Sequence, residues 1–404
     1  MPILLLMCGA IALSPVILLD PGMPQVSHAL VIAAIAVMLT SYFAPVLVDR
    51  AVLLIGGFWL FDVFLVNTGN WLATGVNGTR FMLTIAYYGF NFVVLCATAS
   101  MVATGGQTAR NWLRLALAAA LAIEIAVVVT GFNVGPAASV NVGSDPSVNA
   151  RNSGSFDNPN QLGYFGLLVA SCWFALHERA PLSWLDGAIT AGALFLCISS
   201  SSRAAVLGAV ALPAIALFRH GISTRAIPLA AVSLVAGTIV AYAMADQLAE
   251  GIAQQRVVER FDQSKQHDSF AGRGYDRLWL YPEHLIVGAG EGAYDRFLRS
   301  QGGDNEIHSS FATILFGYGI LGTALFLGLM WRVCSYQGWH GLALMAPLAV
   351  YGLAHQGLRA TLLWVLLGIL LSARWQRYVP VAGGVLKESD YRQFEDRGRS
   401  KQSA

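Results

Sequence analysis

The chain has 404 residues; 56% are hydrophobic and only 12% are charged, with 25 Lys+Arg against 23 Asp+Glu. An ordinary soluble domain is about 25% charged, so this composition excludes a water-exposed enzyme, a disordered chain and a nucleic-acid-binding protein with a basic face. Apolar runs of spanning length, rather than short alternating segments, indicate an all-α polytopic membrane protein and not a lipid-embedded barrel.

The first run, MPILLLMCGAIALSPVILLD, has no basic residue before it and continues past Ala10-Ile11-Ala12. It reads as a first spanning helix and not as a cleaved signal. Hydropathy predicts spans over 3–19, 28–47, 51–67, 81–103, 111–131, 159–177, 183–200, 203–218, 226–244, 308–331, 339–354 and 358–374. Twelve spans put both termini on one side. Cys8, Cys96, Cys172, Cys197 and Cys334 sit within or at the end of these runs, without metal-ligand spacing, and read as small buried side chains.

With the N-terminus inside, the short inner connections carry Arg50, Arg110, Arg114, Arg179, Arg219, Arg225 and Arg332, and the tail adds more basic residues. The short outer connections carry only Arg80, Arg151, Arg203 and Arg359. This asymmetry predicts cytoplasmic termini and makes the four outer arginines exceptions that need a reason. The expected organisation is N-terminal helices (1–131), an outer loop rich in Gly, Asn, Ser and Pro (132–158), central helices (159–244), a large outer loop between spans nine and ten (245–307), C-terminal helices (308–374) and a polar tail (375–404).

Several residues near the outer surface can carry chemistry. Arg203, in CISSSSRAAVLG, lies at a helix turn, where an arginine either snorkels to headgroups or meets an anionic partner. Arg273 and Arg277, four apart in AGRGYDRLWLYPEH, share a helix face; a local salt bridge with Asp276 is the plainer reading. Glycines at 288, 290 and 292 lack the strand–helix context of a dinucleotide fingerprint and suggest a tight turn re-entering the bilayer. His308 opens span ten; a neutral imidazole there can accept a proton from an alcohol or can be structural. Glu306 either orients it or is a first-turn acid facing the helix dipole. Asn158 and Asn160, in SFDNPNQLGYFG, cap a helix and can also bind sugar or phosphate. His267, His284 and His355 are weaker candidates, and no His/Asp/Glu set has metal-binding spacing.

Taken in order, these segments resemble the O-antigen ligase and O-antigen polymerase superfamily. The resemblance rests on Asn-Pro-Asn opening a span, SSSR at a hairpin, a large loop with GR before an aromatic-rich helix and Gly-rich turn, and HSSFATILFGYGILG. It covers about residues 150–330 closely. It implies a C-class-like membrane glycosyltransferase of the bacterial inner membrane with a periplasmic active site. The implied donor is a glycan on undecaprenyl pyrophosphate, and the acceptor a saccharide or lipid A-core hydroxyl. Carried over residue by residue, Arg203 and Arg273 correspond to the essential arginines and His308 to the base, with Arg151 and Arg277 as further substrate-binding positions. No metal, other cofactor or nucleic acid is implied; membrane lipids are the surroundings. The loop is compact and lacks a large acceptor domain, which leaves the acceptor open. Ligase, O-antigen polymerase and exopolysaccharide polymerase all fit. A lipid or solute transporter is the reading from another class; it calls for paired ionisable groups in mid-membrane, where Asp62 and Glu124 are the main acids.

Overall fold

The computed structural model describes residues 1–19, 23–40, 49–75, 78–132, 152–177, 183–220, 271–301 and 306–376. Span nine, Arg151, most of the two outer loops and the tail lie outside them. The described residues form helices and no strand. The helices are α1 (Pro2–Ala12), α2 (Val26–Thr40), α3 (Arg50–Thr74), α4 (Thr79–Thr130), α5 (Pro159–Leu176), α6 (Trp184–Ser199) and α7 (Arg203–His220). Then come the single turns α8 (Arg277–Leu280) and α9 (His284–Val287), a 3-10 turn (Tyr294–Arg296), α10 (Ser310–Ser335), α11 (Trp339–Ala354) and α12 (Thr361–Gln376).

The protein is a helical membrane protein. Among the described residues α3, α4 and α10 are long and apolar enough to cross a membrane, and α1, α2, α6, α11 and α12 are shorter apolar helices. At 52 residues, α4 is far too long for a single crossing at about 1.5 Å per residue. It is broken at Gly106 (φ 52°, ψ −135°), between the spans predicted at 81–103 and 111–131. The first helix is shorter than the expected 3–19. It ends at Ala12 and turns through Leu13–Pro15, because Ser14 before Pro15 is biased away from helical geometry. The Leu18 and Leu19 amides then donate to the Gln25 side chain.

The centre of the bundle is α5, buried at every position from Leu162 to Leu176, as befits a helix apolar all round. It packs on α6, α7, α11, α12 and α4. Beside it, α12 is buried from Leu362 to Leu371, and Trp364 stacks on Trp59 of α3 with centroids 5.7 Å apart. Tyr88 of α4 meets the same Trp59 edge-on at 5.0 Å.

Charges gather at the two ends of the helices. At one end, Asp49 caps α3 through the Ala51 amide and pairs with Arg332 and Arg374 from the ends of α10 and α12. On the same end, Asp186 completes a capping box with Ser183 and takes Arg114 at 3.2 Å and Trp173 Nε1 at 2.7 Å. The opposite end holds the starts of α5, α10 and α12 and the described part of the large loop.

The Gly-rich turn of that loop bonds to the bundle through its backbone. After α9, the Ala289 and Gly290 amides donate to the Phe316 and Gly317 carbonyls of α10, both at 2.8 Å. A regular helix would use those carbonyls internally. They are released because α10 breaks at Gly319 (φ 62°, ψ −167°). Gly288, Gly290 and Gly292 all have positive φ. A Cβ on Gly319 would overlap the Ile286 carbonyl, whereas one on Gly57 would meet nothing. Gly319→Ala should therefore cost at least about 1–3 kcal/mol from strain alone and lower the melting temperature in detergent, while Gly57→Ala should leave it unchanged or slightly raised.

Candidate functional site

A cavity of about 540 Å³ opens at the loop-bearing end of the bundle. Its deeper wall is apolar, with Met7 and Ile11 of α1, Val31 of α2, Leu168 of α5 and Val365 of α12. Its rim is polar and carries Asn158, Asn160, Glu306, His308, His355 and Arg359. The lining thus draws on α1, α2, α4, α5, α11 and α12 and on connections between helices, segments that are distant in sequence.

His308 is positioned by backbone as much as by its helix. Its amide donates to the Arg273 carbonyl at 3.0 Å, so the residue before the glycine of Arg273-Gly274 is tied to the start of α10. Ser309 caps α10, its Oγ accepting from the Ala312 amide, and Ser309 Oγ donates to the Gly352 carbonyl. The Ser310 amide and hydroxyl both donate to the His355 carbonyl. These bonds dock the start of α10 on the end of α11 and bring the His308 and His355 rings to 6.5 Å. Tyr351 lies 5.1 Å from the His355 ring, stacks on Tyr164 at 4.3 Å and donates to the Asn160 carbonyl at 3.0 Å. Asn158 caps α5, accepting from the Asn160 amide at 2.8 Å, with Pro159 at the first helical position.

Arg359, in the connection between α11 and α12, forms the charged wall. Its Nη2 lies 2.8 Å from Glu291 Oε2 and its Nη1 2.6 Å from Glu306 Oε1. Glu291 is fully buried in the Gly-rich turn. Its other oxygen accepts from Tyr88 Oη at 2.6 Å, and its amide donates to Asn67 Oδ1 at 3.0 Å. Burial by itself would lower the pKa of Arg359; the Glu291 and Glu306 carboxylates more than reverse this and hold the guanidinium charged well above its ordinary range. Burial, then the Glu291 charge, raises the Tyr294 phenol.

The sequence-derived candidates therefore separate by position. His308, Asn158 and Asn160 share the cavity rim. Arg273 is half-buried and joined to His308 through the backbone, but it is not among the residues lining the cavity. Arg277 is fully buried, its guanidinium 5.0 Å from the Tyr294 ring and 5.5 Å from Phe297, and is not among the residues lining the cavity. Arg203 is exposed at the start of α7. It sits at the same end of the bundle, since Ser199 just before it accepts from the Asn152 amide and Ser200 abuts Gly163 of α5, but it too lies outside the lining. Glu306, expected to orient His308 or face the helix dipole, pairs with Arg359. Sequence reasoning passed over Glu291 and Tyr88 and left Arg359 without a role. The one usable signal was the presence of Arg359 on the arginine-poor side.

Residues 188–327 match the family model described as O-Antigen ligase. Over this segment the chain is similar to the O-antigen ligase family. The segment runs from α6 into α10 and includes Arg203, Arg273, Arg277, Glu291, Glu306 and His308. Tyr88, Asn158, Asn160 and Arg359 complete the same end of the bundle from outside it. No curated protein matches the chain.

Tyr88→Phe should keep the ring contact with Trp59 and remove a buried hydrogen bond to Glu291, costing about 1–3 kcal/mol. Thermal unfolding in detergent should show the loss. An unchanged transition would mean that the Tyr88–Glu291 bond contributes nothing.

Proposed function

We propose that the protein transfers a glycan from undecaprenyl pyrophosphate to a sugar hydroxyl at the periplasmic face of the bacterial inner membrane. In this reading the chain crosses the membrane twelve times, with cytoplasmic termini and the large loop between spans nine and ten. The observation that carries the reading is the cavity: an imidazole, amides and a guanidinium on its rim above an apolar wall. A lipid-linked sugar has the same division, with a charged diphosphate and sugar joined to a hydrocarbon tail. The superfamily match over residues 188–327 supports the reaction class.

The chemistry follows from the groups present. The acceptor hydroxyl oxygen attacks the anomeric carbon while His308 takes its proton. The anomeric C–O bond to phosphate breaks, and its electron pair leaves with undecaprenyl pyrophosphate. That leaving group is stable as an anion, so no protein acid is needed. Direct displacement inverts the anomeric configuration. Arg203 and Arg273 bind the diphosphate and stabilise the charge that builds on it, without a metal. Arg151 and Arg277 support donor binding, Arg277 by holding the aromatic packing beneath the Gly-rich turn, and Asn158 and Asn160 contact sugar. Ligation to a lipid A core is the favoured outcome; polymerisation of repeat units uses the same groups.

The transporter reading is less well supported. Glu124 is already engaged by the Ser155 amide at 3.0 Å and hydroxyl at 2.6 Å, which anchors the segment leading into α5.

Purified protein incubated with a lipid-linked glycan and separate acceptors tests the reading. A single addition to lipid A core marks a ligase, a product ladder marks a polymerase, and no transfer to any acceptor counts against both. His308→Ala should abolish turnover with donor affinity nearly intact, whereas Arg273→Ala should weaken donor binding about tenfold or more. Equal loss of donor binding in both variants contradicts these roles.

A further inference from the structure

The two arms of the Arg359 ion-pair network are unequal. Glu291 is 1% exposed and Glu306 is 42% exposed, while the Arg359 side chain between them is 31% exposed on the cavity wall. A buried pair persists, because separating it strands a charge in a poorly solvating interior. A water-exposed pair contributes little and yields readily to a competing anion. The geometry thus gives one arm that holds Arg359 in place and one that can be exchanged.

We infer that Arg359 is a phosphate-binding residue of this cavity, with its outer edge occupied by Glu306 until a diphosphate displaces it. The inference rests on the reading of the cavity as a donor site. A guanidinium offers more than one donor edge for carboxylate or phosphate oxygens. Glu291, with Tyr88 and Asn67 behind it, takes one arm and aims the group. The other arm points to the rim beside His308. One guanidinium against two carboxylates leaves the resting cluster net negative, which opposes an approaching anion. Once Glu306 swings into solvent, its charge is screened, and the remaining cation faces the donor. Glu306 therefore acts as an internal competitor, and its removal favours the donor.

The test uses full-length protein in nanodiscs and three probes: undecaprenyl pyrophosphate, inorganic pyrophosphate and undecaprenol. Glu306→Gln should tighten undecaprenyl pyrophosphate binding about two- to fivefold. Arg359→Lys keeps a positive charge facing Glu291 but loses the fork, and should weaken binding about tenfold. A melting temperature for Arg359→Lys close to that of the parent shows that the fold survives. Undecaprenol affinity should not move in either variant. Inorganic pyrophosphate shifting in the same order supports recognition of the diphosphate itself. Unaltered undecaprenyl pyrophosphate affinity in both variants overturns the inference and leaves Arg359 as a clamp between the Gly-rich turn and α12. Arg203→Ala and Arg273→Ala separate the two levels. If they weaken donor binding and the Arg359 and Glu306 variants do not, only this inference falls; if none of the four changes it, the donor-site reading falls as well.

Discussion

The architecture at the loop-bearing end depends on keeping the Glu291 carboxylate satisfied inside an apolar bundle. An isolated charge there would be prohibitive. Removing the partner of such a buried pair costs about 3–5 kcal/mol, so the residues around Glu291 are under tight constraint. Arg359 supplies the countercharge, Tyr88 a hydroxyl donor, and Asn67 an acceptor for the Glu291 amide. These partners come from the α11–α12 connection, α4 and α3. Through its carboxylate and its amide, Glu291 therefore ties the loop to three separate parts of the bundle, and Arg359 on the cavity rim is placed by those ties.

The constraint propagates to the backbone. For the turn to bring Glu291 this deep, its amides need acceptors within the bundle. The break at Gly319 provides them by releasing the Phe316 and Gly317 carbonyls. The close approach leaves no room for side chains. A Cβ on Gly288 would crowd the Gly317 carbonyl and the Tyr318 backbone, and one on Gly290 would crowd Asn67 and Phe81. The same sequence feature that resembles a cofactor loop is thus explained by backbone packing against a broken helix.

This division also accounts for what the sequence made legible. Helix positions follow from hydropathy and local capping, both short-range properties, so Asn158-Pro159 marks the start of α5 in the structure as it does in the sequence, and α10 starts at Ser310, close to the span start expected at 308. The tight turn was readable because glycine recurs at 288, 290 and 292, all of which have positive φ. The Glu291–Arg359 pair was not, because its members stand 68 residues apart and nothing in either segment points to the other as its partner. The contribution of α1 and α2 to the cavity was equally hidden, since Met7, Ile11 and Val31 are indistinguishable in sequence from lipid-facing residues. Hydrophobic pattern reports that a residue avoids water, not which apolar surface it meets.

The distribution of charge bears on the class of chemistry. Arg114, Arg332 and Arg374 are held by Asp186 and Asp49 at the end remote from the cavity. The basic groups of the loop-bearing end include Arg203, Arg273, Arg277, Arg296 and Arg359, and two of them, Arg277 and Arg296, are packed on the Phe297 ring. Aromatic stacking stabilises a guanidinium without neutralising it. One of these cations, Arg359, stands on the rim of the cavity whose deeper wall is apolar. A diphosphate at the tip of a hydrocarbon chain needs both from the same place: cations where the headgroup stops, and an apolar wall where the tail begins. A path for a solute across the bundle would need polar groups in succession between the two ends. Among the described residues the interior between the clusters is filled by α5 and α12, buried over most of their lengths. Solid packing at the centre and exposed chemistry at one end favour a reaction performed at the membrane surface over passage through it.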